Sequence, residues 1–136
     1  MPQIDATYEG SLHCSAVHVP SGAKLTTDAP KDNMGRGESF SPTDLVATAL
    51  GTCILTTMGL VAQRHGLDLG AATARTNKIM TSTGPRRIAR LEVHVHVPKS
   101  FDESTRQRLE HAGMHCPVHQ SLHPDVQIEV TFVWRD

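Results

Sequence analysis

Residues 45–62 read LVATALGTCILTTMGLVA, eighteen residues without a charge and with Cys53 close to the centre. At 1.5 Å per residue a helix over this run covers about 27 Å, near the length of a membrane span. Four threonines and two glycines, with Asp44 before the run and Arg64-His65-Gly66 after it, favour a buried helix of a soluble protein. The start is written just upstream, in Ser41-Pro42-Thr43-Asp44. Ser41 fits the N-cap, Pro42 the first helical position and Asp44 the first turn, where the helix dipole favours an acid. Gly66 closes the helix. A helix that is apolar on every face must be covered on every face, and one small sheet covers only one side. A second copy of the chain is the predicted cover, which makes the protein an obligate dimer.

On either side of this helix the pattern changes to period two. Residues 3–8, 11–19 and 23–27 alternate apolar and polar side chains, with breaks at Gly10-Ser11 and Ser21-Gly22, and predict a three-stranded meander. Residues 29–38, APKDNMGRGE, form a loop rich in Pro, Gly and charge, the kind of segment that often carries function. Downstream, strands are predicted near 70–82 and 86–97 around a Gly84-Pro85 turn, then a helix from Ser100-Phe101-Asp102-Glu103 to about His115. A short helix over 117–122 and a strand over 126–134 complete the chain. The order βββ-α-ββ-αα-β is an α+β domain with helices on one side of an antiparallel sheet.

Composition narrows the function. Thirteen basic and fourteen acidic residues give a formal net charge of -1, too little field to gather nucleic acid or anionic lipid. One Trp, one Tyr and three Phe leave little for stacking on bases. The first residues lack the basic start and apolar run of a signal peptide. Three cysteines are too few for a disulfide scaffold, and the odd count points to a reducing compartment, with the cytoplasm as the expected location.

The chemistry therefore falls to the thiols. Cys116 stands directly before Pro117 in His115-Cys116-Pro117-Val118-His119. Pro favours the first residue of a helix, so Cys116 is expected at an N-cap, where unpaired N–H groups favour the thiolate. Cys53 is expected to be shielded and Cys116 primed. Cys14, alternating with Leu12 and Ala16, reads as an inert core thiol. His111, His115, His119 and His123 recur every four residues, but Pro117 divides them between two helices, and no metal site is predicted. Arg86, Arg87 and Arg90 read as a charged strand edge.

Taken together, Gly37-Glu38-Ser39-Phe40-Ser41-Pro42-Thr43-Asp44-Leu45 through Gly51-Thr52-Cys53, with Cys116-Pro117-Val118-His119, resemble the OsmC/Ohr family of small thiol-dependent peroxidases. The resemblance covers nearly the whole chain and implies a single OsmC-like domain over 1–136 with a long central helix, assembled as an intertwined homodimer. It further implies that Cys53 is the peroxidatic cysteine and Cys116 the resolving one. An organic hydroperoxide would be reduced through a Cys53 sulfenic acid and a Cys53–Cys116 disulfide, with no bound cofactor and a dithiol, such as a protein-bound lipoyl group, as reductant. The family's best-studied peroxidases place a Glu directly after the helix-starting Pro and an Arg in the N-terminal strands. Here Thr43 follows Pro42, the first arginine is Arg36, and the N-terminal hairpin offers His13. Arg36, Glu38 and Asp44 are the candidates left to activate the thiolate. The alternative is a non-catalytic OsmC-like dimer that binds an apolar ligand in its interface cleft. No nucleic acid or membrane partner is expected.

Overall fold

A computed structural model describes residues 1–135. The elements run β1 (Ile4–Tyr8), β2 (His13–His18), β3 (Ala23–Asp28), α1 (Pro42–Arg64), β4 (Thr73–Met80), β5 (Ile88–Val97), α2 (Glu103–Met114), α3 (Pro117–Ser121) and β6 (Gln127–Trp134). This is the expected α+β order around a long helix. Contacts group the chain into two compact units, Met1–Val46 and the remainder from Ala47 on.

In the first unit β1, β2 and β3 form an antiparallel meander. Ile4, Tyr8 and Leu25 lie on one face of it and are 61%, 64% and 44% exposed within the single chain. Cys14, paired with Tyr8 across the strands, is only half-buried, so it is not the core thiol expected from its pattern. The start of α1 is a reciprocal cap. The Asp44 N–H donates to Ser41 Oγ at 3.1 Å, and the Ser41 N–H donates to Asp44 Oδ2 at 2.9 Å, with an Asp in the place a capping box usually gives to Glu.

The second unit holds the apolar core. β4 and β5 pair antiparallel, but β5 and β6 pair parallel, which corrects the expectation of a wholly antiparallel sheet. Two helices separate β5 from β6 in sequence, and a connection of that length is what a parallel pair requires. Leu91, Val93, Val95 and Val97 alternate along β5 and are all fully buried, while His94 and His96 on its other face are exposed. Trp134 at the end of β6 donates its indole N–H to Glu110 on α2 at 2.8 Å and meets Phe101 edge-on.

By length and composition α1 is able to cross a membrane, yet Leu50, Ile54 and Met58 are fully buried in the core. Its buried positions, Ala47, Leu50, Gly51, Ile54, Met58 and Ala62, repeat at helical spacing and form one stripe. Thr48, Thr52, Thr56 and Leu60 are exposed. The helix is therefore not enclosed on all sides within one chain. It ends in a Schellman turn: Gly66 adopts φ +69°, the Gly66 N–H donates to Gln63 O and the Leu67 N–H to Ala62 O.

Candidate active site

Two residues of the second unit, far apart in sequence, meet across the packing of α1 and α2. Gly113, on the last turn of α2, is buried and lies against α1. A β-carbon there would sit 3.1 Å from Ile54 Cγ2, 3.2 Å from Met58 Cγ and 3.3 Å from Met58 Sδ. Hydrogen alone lets the two helices approach this closely. Cys53 precedes Ile54, and Cys116 follows Gly113 by three residues.

α2 stops at Met114 and α3 begins at Pro117, with Cys116 as the N-cap of α3. This is the position expected from the Cys-Pro pair. Its Sγ accepts the His119 N–H at 3.4 Å. The environment, however, reverses the expected shielding of the two thiols. Cys116 is fully buried, and burial pushes its thiol up. The His119 amide pulls the other way, while the nearby Cys53 thiol reinforces the rise. Cys53 is the half-exposed thiol, and its Sγ lies 4.0 Å from Thr57 Oγ1, one turn on. Both cysteines are free. The N-cap effect invoked from sequence is real but small, because α3 is a single turn and desolvation outweighs one long N–H···S contact.

The other candidates lie in the first unit. Arg36 and Glu38 face each other at 3.9 Å in the loop after β3, both about two-thirds exposed. Asp44 serves the α1 cap. His13 Nδ1 lies 2.6 Å from Asp28 Oδ1, and the Glu38 N–H donates to Asp28 Oδ2 at 3.0 Å. The hydrogen bond from His13 is the main reason that the Asp28 carboxyl is held below its ordinary value. Among the histidines, Pro117 breaks the series as expected. His111 and His115 stack with ring centroids 4.2 Å apart, and His115 Nδ1 bonds the His111 carbonyl. Among the described residues no group of three or more His, Cys, Asp or Glu side chains is arranged to hold a metal. Sequence reasoning missed Gly113 and Thr57. A glycine inside a helical run and a hydroxyl four residues after a cysteine were the available signals.

The profile of the OsmC-like protein family matches residues 35–131, which includes both cysteines. The chain belongs to the OsmC family. A crystal structure of an osmotic stress induced and detoxification response protein from Psychrobacter arcticus 273-4 is similar over 97% of this chain and 96% of that one, at 38% identity and a TM-score of 0.92. An OsmC-like protein from Mycoplasma pneumoniae shares the fold at 17% identity, with TM-score 0.83 over 100% and 98% of the two chains. So does an organic hydroperoxide resistance protein from Vibrio cholerae with captopril bound in one of its active sites, at 16% identity and TM-score 0.75 over 96% and 90%. A comparison with curated proteins returned no match. For this OsmC family member the family assignment and the OsmC-like topology thus agree with the reading from sequence.

Proposed function

We propose that this OsmC family member is a thiol-dependent peroxidase that reduces organic hydroperoxides, with residues 1–136 acting as one functional domain. The observation that supports the reading is that two free thiols lie near one another in the second unit, one half-exposed on α1 and one buried at the N-cap of α3. The exposed member suits attack on substrate, and the buried one suits a partner that reacts only within the protein.

In the proposed cycle the Cys53 thiolate attacks the terminal oxygen of ROOH. The S–O bond forms, the O–O bond breaks, and RO⁻ takes a proton to leave as ROH, so Cys53 is left as a sulfenic acid. The Cys116 sulfur then displaces the sulfenic hydroxyl. Its proton leaves with that hydroxyl as water, and a Cys53–Cys116 disulfide results. An external dithiol of the lipoyl type restores both thiols by two exchange steps and is itself oxidised to a disulfide. Such a reductant is available in the cytoplasm, the proposed location. The Vibrio cholerae protein of the same fold, named for organic hydroperoxide resistance, supports this substrate class.

A homodimer is part of the proposal. Ile4, Tyr8, Leu25 and Leu60 are large apolar side chains left exposed in one chain, and a second copy supplies the cover that such surface calls for.

The experiment is hydroperoxide consumption with dihydrolipoamide as reductant. The parent turns over cumene hydroperoxide, while Cys53→Ser loses roughly a thousandfold or more, as expected for removal of a nucleophile. Equal rates from the two proteins reject the assignment. A second reading, an apolar-ligand carrier, draws on a cavity of about 260 Å³ in the first unit lined by Ile4, Ala16, Val17 and Leu25. Co-purifying acyl ligands in a protein inert to every hydroperoxide would favour it.

A further inference from the structure

The geometry points to a two-histidine site for a divalent transition-metal ion at the C-terminal end of α2, made by His111 and His115. The inference stands apart from the peroxidase reading and holds for a chain with or without that activity.

The two residues are one helical turn apart, at i and i+4, so their side chains rise from the same face of α2. Both are exposed, and their rings stack with centroids 4.2 Å apart and planes 30° from parallel. Imidazoles at that spacing need only a ring rotation to share one ion at the metal–nitrogen distance of about 2.0–2.1 Å.

The hydrogen bonding of His115 prepares it as a ligand. Its Nδ1 lies 2.8 Å from the His111 carbonyl oxygen. A carbonyl oxygen only accepts, so Nδ1 carries the hydrogen and the neutral ring keeps its lone pair on Nε2. Metal-binding histidines are commonly fixed in this way, one ring nitrogen donating to a carbonyl or carboxylate while the other faces the ion.

The place suits a cation as well. The last turn of α2 presents the negative end of the helix dipole, and the His115 N–H closes it on Ala112 O at 3.2 Å. Arg108, three residues before His111, is the opposing charge on this helix. Among the described residues no group of three or more His, Cys, Asp or Glu makes a full cage, so water fills the remaining positions. Imidazole ligands suit copper(II), nickel(II) and zinc(II), with copper(II) held most tightly. An ion held there spans the turn that contains Gly113 and leads directly into Cys116.

The test is calorimetric titration of the untagged, reduced chain with nickel(II), chosen because copper(II) oxidises thiols, in the parent, His111→Ala, His115→Ala and His123→Ala. The parent is expected to bind one ion per chain. His111→Ala and His115→Ala should each bind at least about tenfold more weakly, since even an outer partner of a ligand is worth that much. His123→Ala, altered beyond α3, should bind as the parent does. Nickel(II) is paramagnetic, so the ring proton signals of His111 and His115 should broaden before those of any other histidine. No binding by the parent, parental affinity in either the His111 or the His115 variant, or first broadening at another histidine would overturn the inference.

Discussion

Gly113 and Ile54 touch where α2 crosses α1, so closely that a β-carbon on Gly113 would lie 3.1 Å from Ile54 Cγ2. That contact sets the separation of the segments carrying Cys53 and Cys116. Gly113→Leu forces an isobutyl group into filled space and is expected to cost roughly 1–3 kcal/mol by overpacking. Urea denaturation measures that loss, and the same variant should form the Cys53–Cys116 disulfide more slowly after peroxide. A variant of parental stability and parental disulfide rate would show that the crossing does not govern the site.

Leu50 is fully buried on the same helix. Leu50→Ala removes its contacts and leaves a cavity, with an expected loss of about 2–5 kcal/mol, again read by urea denaturation. A loss well below this range would mean that the core of the second unit closes over the gap.

The His13–Asp28 pair gives the first unit an acid sensitivity. Asp28 is held below its ordinary 3.8, first by the His13 hydrogen bond and also by the Glu38 amide. A carboxyl lowered in the folded state contributes stability above its unfolded value, and that contribution is lost as pH falls below 3.8 through the folded value. Asp28→Asn should therefore reduce stability at neutral pH and flatten the acid limb of the melting-temperature profile. Parallel acid limbs in parent and variant would remove Asp28 as a source of the dependence.

The exposed apolar residues make a prediction about assembly. The parent should elute as a dimer in size exclusion with light scattering, and Leu60→Glu should shift the equilibrium toward monomer. Leu60 is half exposed within one chain, so a charge there costs little unless a partner covers it. Parent and variant that are both monomeric would contradict the dimer.

Much of this was readable in the residues because the strongest signals were local. Ser41-Pro42-Thr43-Asp44 and Gly66 marked the two ends of α1, and the alternation of Leu91 to Val97 marked the core face of β5. Cys116-Pro117 marked a cap, and the family resemblance followed from the same stretches. The features that escaped depend on tertiary context. Parallel pairing of β5 with β6 leaves no trace in either strand, since both orientations use the same period. The exposure of one stripe of α1 was hidden because Thr48, Thr52 and Thr56 leave the run uncharged. Which cysteine is buried could not be read from capping alone, because the outcome turned on desolvation of Cys116 in the folded chain. Gly113 stood out only as a glycine inside a helical run, which does not say what it packs against.

Intact-mass spectrometry of the reduced protein after one equivalent of cumene hydroperoxide tests the pairing of Cys53 with Cys116 most directly. The account predicts a loss of about 2 Da, the two thiol hydrogens, and a single cross-linked peptide pair joining Cys53 to Cys116. An unchanged mass, or a gain of oxygen on Cys53 with Cys116 still alkylatable after unfolding, would contradict it.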